Sequence, residues 1–254
     1  MRIIIITILL SLPFSLYGQN CKSSITIGLG SIWPPYYFEQ QGKPTGIDID
    51  IMSTIFEQAQ LCIHYKKMST TLRAFVELEK GSIDVLYAAS FNAEREKIGL
   101  YSKPYRHENV RIFWKKNDVS SLVNGDLYTL LNAGLTGAIN AGSYFGPTHD
   151  EIINSELMGA ISNIPTITSR MKMLAHGRVD FLIEDEITGL YYLQQNKIED
   201  IELHPFLVYT NDVSFIFSRK NFTSMQVQEI DDLLQKNSTL ISKIIKGYAP
   251  SLHH

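Results

Sequence analysis

Apolar positions fall in short runs separated by longer amphipathic stretches along most of the chain. Ile25 to Leu29 alternates apolar and small or polar residues, which predicts a strand, whereas Asp48 to Gln60 sets Ile49, Met52, Ile55 and Phe56 near helical spacing. Thr70 to Lys80 reads as a second helix, and Gly81 supplies the stop just past its end. The run Gly81-Ser-Ile-Asp-Val-Leu-Tyr is echoed 96 positions later by Gly177-Arg-Val-Asp-Phe-Leu-Ile. Each reads as a glycine stop followed by a buried strand. This alternation predicts an α/β fold with mainly parallel sheets flanked by helices, and the echo suggests two similar halves rather than a solenoid.

The amino-terminal run is different in kind. Arg2 precedes an uncharged apolar stretch from Ile3 to Tyr17, the pattern of a secretory signal peptide over residues 1–18, and the stretch is shorter than the roughly twenty apolar residues a spanning helix needs. Beyond it no segment is long and apolar enough to span, and 44% hydrophobic with 19% charged residues is an ordinary globular composition. The net charge of -3 carries no Lys/Arg cluster with interleaved aromatics, so the electrostatic footprint of nucleic-acid binding is missing.

Export implies an oxidising compartment, and the two cysteines, Cys21 and Cys62, each stand just before a β-like run, Ser24 to Gly28 and Ile63 to Lys67. Two parallel neighbouring strands starting side by side would satisfy disulfide geometry. Two free thiols, or a lipid-modified Cys21, are the competing readings. No Pro-rich or Ser/Gly-rich linker divides the chain. The expected division is therefore one lobe from 22–104 plus 214–254 and a second from 110–208, joined by ordered crossings near 105–109 and 209–213.

Trp33-Pro-Pro-Tyr-Tyr-Phe, followed by Gly42-Lys-Pro-Thr-Gly-Ile-Asp-Ile-Asp-Ile, resembles the aromatic-proline turn and glycine-led first helix of the extracellular solute-binding proteins of amino-acid ABC transporters. Leu78-Glu-Lys-Gly-Ser-Ile-Asp-Val, Ser90-Phe-Asn-Ala-Glu-Arg95, Tyr101-Ser-Lys-Pro-Tyr105 and Ala141-Gly-Ser-Tyr144 follow in that family's order, then Gly177 to Asp185, a strand ending in acidic residues, and a last strand at Ser214 to Lys220. The resemblance implies the bilobal periplasmic-binding-protein type II fold, a periplasmic location, an amino acid as small-molecule ligand, a membrane ABC permease as partner, and a monomer. The chain departs from the pattern in three places. It is one residue short between Asp84 and Arg95, it has Gly30 where some members have a polar contact, and it has Thr71 where an aromatic is common.

An amino acid presents a carboxylate and an ammonium, and neither is buried cheaply without a partner. The resemblance places Arg95 as a bidentate partner of the carboxylate and Asp185, on the other lobe, as acceptor for the ammonium. Ser90 and the helix start at Ser143 and Tyr144 would add hydrogen bonds, and Trp33 with Tyr36 an aromatic wall. Each has a plainer alternative: an ion pair of Arg95 with Glu94 or Glu96, a helix cap for Asp185, a simple turn at Ser143, and core packing for Trp33.

No cofactor or metal is expected. Gly28-Leu-Gly30 opens a dinucleotide fingerprint, yet Trp33 stands where its third glycine belongs; the seven histidines lack zinc-site spacing; and no Gly-x-Ser-x-Gly nucleophile elbow occurs. Two other functions fit the same resemblance: a ligand sensor subunit reporting to a separate membrane receptor, and a lyase resembling cyclohexadienyl dehydratases, with Glu184 or Glu186 as the acid.

Overall fold

A computed structural model describes residues 21–115, 122–140 and 145–248. Strand β1 (Ser23–Leu29) buries Ile25, Ile27 and Leu29, and pairs in parallel with β4 (Leu61–Lys67) from Ser23 opposite Leu61 onward. That register pairs Cys62 with Ser24, and Cys21, just before β1, is joined to Cys62 as a disulfide with Cα atoms 5.5 Å apart, inside the normal window.

Between these strands come a small hairpin of β2 (Phe38–Gln40) and β3 (Lys43–Thr45), and helix α1 (Ile47–Gln58), which buries Ile47, Ile51, Met52, Ile55 and Phe56 against the sheet. Gly46 begins α1 at φ 127°, and a side chain there would strike the Tyr36 carbonyl oxygen. Its absence lets Ile47 and Asp48 donate to the carbonyls of Pro35 and Tyr36 at 2.9 and 3.1 Å, tying the aromatic-proline turn to the helix start.

Helix α2 (Thr71–Lys80) begins with the Thr70 hydroxyl accepting from the Arg73 amide at 3.1 Å and ends at Gly81 in the left-handed region. Strand β5 (Val85–Ser90), helix α3 (Ala93–Ile98) and strand β6 (Gly99–Tyr101) follow, before the long strand β7 (Arg106–Lys115). The second half runs α4 (Leu127–Asn132), β8 (Gly137–Ile139), α5 (Pro147–Ile153), β9 (Ile161–Asn163), α6 (Ile167–Ala175), β10 (Phe181–Asp185) and α7 (Glu186–Asn196). Strand β11 (Ile201–Ser218) leads back to α8 (Ser224–Lys236) and α9 (Ser238–Tyr248), and α8 opens with a capping box of Thr223 and Gln226.

The strands form one path, β4-β1-β5-β11-β7-β10-β8-β9, with β6 also on β11. Its two ends, β4-β1-β5 and β10-β8-β9, are parallel, as the β/α alternation predicts; the middle, β5-β11-β7-β10, is antiparallel. The reason lies in β11. The last strand, expected over Ser214 to Lys220, is instead an 18-residue strand that takes in the expected crossing at 209–213. Thr210 to Val213 pair with Asn109 to Arg106, so the two crossings satisfy each other's backbone groups rather than running as loops. Pro205, which cannot donate, falls within the register shift between Leu203 and Leu207.

Apolar side chains gather around both parallel ends. One core joins Ile27, Ile51, Phe56, Phe215 and Phe217, with Leu78, Ile83 and Leu86 as a satellite beneath α2. The other comprises Ile112, Leu130, Phe181 and Ile183 on one side of the sheet and Phe113, Leu174 and Leu182 on the other. Among the described residues no helix is long and apolar enough to cross a membrane.

Candidate ligand site

A cavity of about 140 Å³ opens between these two cores, lined from one side by Gly30, Trp33, Phe75, Ser90 and Arg95 and from the other by Phe145, Arg170, Glu184 and Asp185. It faces the carboxyl ends of β1, β5 and β10, the edge at which open α/β sheets hold ligands.

Arg95 is carried on α3, whose first turn is fixed by the Asn92 side chain accepting the Arg95 amide at 2.8 Å. Its guanidinium lies 4.4 Å over the Phe75 ring and donates to the Ser90 carbonyl at 3.1 Å. Glu94, one of its sequence neighbours, pairs with Lys97. Ser90 is buried, and its hydroxyl oxygen accepts from Asn211 at 2.8 Å, leaving its O–H as a donor. Just before it, Ala88 takes a positive φ of 50° and gives its amide to the Tyr105 hydroxyl, a kink in β5 beside the cavity.

Trp33 begins a tight turn in which Tyr36 and Tyr37 both donate to its carbonyl. The indole lines the cavity, tilted against Tyr36 with centroids 4.5 Å apart. Tyr36 itself stands behind the wall, fully buried, beneath the Arg106 guanidinium at 3.8 Å. Ser143 and Tyr144 lie outside the described residues.

Asp185 closes β10 and caps α7, with Oδ1 accepting the Thr188 amide at 2.9 Å. It therefore has the capping role and a place at the cavity together. Its other oxygen, Oδ2, is buried without a hydrogen-bond partner, as is the hydroxyl of Thr188. Burial first, and the charge of Glu108 second, push the Asp185 carboxyl up to about 8, against the pull of Arg106 and the Thr188 amide.

Two buried ion networks that reach this wall are not apparent from the sequence reading. Arg106 forks onto both oxygens of Asp48 at 2.7 and 3.0 Å and onto Glu108 at 2.7 Å, and the Tyr105 hydroxyl donates to Asp48 at 2.9 Å. This joins α1 to the crossing strand β7 with the charges shielded from water. Burial raises Glu108 above the usual carboxylate range despite Arg106. In the second network Arg170, on α6, pairs with Glu184 on β10 and donates to the Ile164 carbonyl at 2.6 Å. Glu184 also accepts from the Trp33 indole at 3.3 Å and from the Asp185 amide at 3.1 Å. The usable signal for both networks is a charged residue within an apolar run: Asp48 between isoleucines, Glu184 after Phe181-Leu-Ile, and Arg106 and Glu108 ahead of Val110.

Comparisons with known proteins bear on the family and the fold. The family model of bacterial extracellular solute-binding proteins, family 3, matches residues 25–148. A probable amino-acid-binding protein, YxeM of Bacillus subtilis, is 21% identical over 81% of this chain and 76% of its own length. The amino-acid-binding protein AabA of Dichelobacter nodosus is 23% identical over 87% of this chain and 85% of its own. The solved arginine-, lysine-, histidine-binding protein ArtJ of Geobacillus stearothermophilus superposes with a TM-score of 0.75 at 19% identity, covering 90% of this chain and 96% of that one, which identifies the bilobal α/β fold. By family model over residues 25–148, by curated relatives and by fold, this chain is similar to the family 3 bacterial extracellular solute-binding proteins.

Proposed function

We propose that this protein captures an amino acid between its two lobes and, without turning it over, delivers it to a membrane ABC permease. The observation that carries the reading is that Arg95 and Asp185, 90 positions apart, line one cavity from opposite sides. A guanidinium matches a carboxylate, and an unpartnered carboxyl oxygen matches an ammonium. The names of the relatives support the same ligand class.

In this reading the lobes are 22–104 with 214–254, and 110–208, turning about the paired crossings at 105–109 and 209–213. Only a closed arrangement gives the ligand contacts from both lobes, so binding shifts the population toward closure. Residues 1–18 act as the export signal, the mature protein is a periplasmic monomer, and the Ser90 hydroxyl with the loop at Ser143 and Tyr144 completes the carboxylate seat.

The test is the melting temperature of the chain from Gln19 onward against the twenty amino acids and their deaminated and decarboxylated analogues. A ligand bound only by the folded state raises it by mass action. The expected result is a rise with at least one amino acid and a smaller rise with its acid and amine analogues. Equal rises with an acid or an amine alone would remove half of the clasp.

A further inference from the structure

Apart from Arg95 and Asp185, the charged groups on the cavity wall are compensated within the protein. Glu184 uses one oxygen on Arg170 and the other on the Trp33 indole and the Asp185 amide. Arg170 answers Glu184 and the Ile164 carbonyl, and both Arg170 and Glu184 are buried. Glu108 is bound by Arg106 at 2.7 Å and by the Asn211 side chain. On the proposed reading, on which this inference rests, Arg95 and Asp185 meet the two charges common to every amino acid.

The rest of the lining is uncharged and largely apolar. Ile32 and Leu86 line it from one side and Val110, Phe145, Pro165 and Ile167 from the other, with Ser31, Thr71 and Asn140 as polar members. Among the described lining residues every further charge is compensated. A charged side chain would lose its hydration here with no counter-charge in reach, at a cost of several kcal/mol. The cavity, about 140 Å³, is on the scale of an apolar cavity of about 150 Å³ that holds one benzene, which favours a compact side chain over a long basic one.

We propose that the ligand is an amino acid with a neutral, apolar side chain of about the size of valine, leucine, isoleucine or methionine. The test is calorimetric titration of the chain from Gln19 onward with these four, with arginine, lysine and glutamate, and with 4-methylpentanoate and isoamylamine. At least one apolar amino acid is expected to bind about ten-fold or more tighter than any charged one. Tightest binding by arginine, lysine or glutamate would overturn this inference and leave the amino-acid reading standing. Binding of 4-methylpentanoate or isoamylamine as tight as leucine, or no binding of any amino acid, would overturn the amino-acid reading and this inference with it.

Discussion

The Trp33 indole N–H donates to a carboxylate oxygen of Glu184 at 3.3 Å, linking residues 151 positions apart across the cavity. Trp33 stands on the turn after β1, and Glu184 is fixed at the end of β10 by Arg170. The contact therefore spans the two cores and helps to hold them together around the cavity.

Trp33→Phe keeps an aromatic wall and removes this donor. A hydrogen bond to a charged group contributes about 1.5 kcal/mol or more, so the affinity for the ligand should fall about ten-fold with little change in melting temperature. Calorimetric titration checks this, and unchanged affinity would mean that the contact plays no part in closure.

Arg170→Met leaves Glu184 as a buried, uncompensated charge, since both side chains are nearly inaccessible. The expected cost is about 3–5 kcal/mol in urea unfolding, most of it regained in the double variant Arg170→Met, Glu184→Leu. A double variant no more stable than the single one would show that the pair does not act as a charge pair.

The pH dependence follows from Asp185. Its carboxyl, held up to about 8 by burial and by Glu108, ionises at about 4 in an unfolded chain. Between those values the folded protein holds a proton that the unfolded chain has released, so ligand-free stability should fall as pH rises from about 4 to about 8. Glu108, raised by burial, acts in the same direction. An ammonium ligand favours the ionised carboxyl and expels the proton, so affinity should rise between about pH 6 and pH 8, by up to about ten-fold per unit. Asp185→Asn should flatten the stability slope; a parent protein whose affinity is flat over this range would contradict the assignment.

The disulfide closes a separation of 41 residues between the starts of β1 and β4. Loop-closure entropy gives it about 4 kcal/mol, so Cys21→Ser, Cys62→Ser should lower unfolding stability by roughly that amount while ligand affinity stays within about two-fold, because neither residue lines the cavity. Loss of binding in a folded double variant would show that the edge of the sheet shapes the site.

The parts of the fold legible from sequence were those governed by local rules. Periodicity located α1 and α2, the glycine at 81 marked a real left-handed stop, and the paired β-like runs after Cys21 and Cys62 became parallel neighbours. The length of β11 was not legible, because Pro205 and Asn211-Asp212 look like strand breakers until β7 lies alongside to pair with the residues between them. Charge was the harder signal. Asp48, Arg106 and Arg170 look like solvated surface residues in one dimension, and only partners 58 or 14 positions away show that they are buried. Glu184 and Asp185 are adjacent acids with different fates, one tied to Arg170 and one left with an open oxygen, a distinction set by the neighbouring strands and helices.

The most direct test is calorimetric titration of the parent, Arg95→Ala and Asp185→Asn proteins with the amino acid that raises the parent's melting temperature most. Truncating one side of a buried charge pair costs about 2 kcal/mol or more, so each variant, shown to be folded by circular dichroism, should lose about thirty-fold or more in affinity. Two folded variants that bind as tightly as the parent would contradict the two-charge clasp.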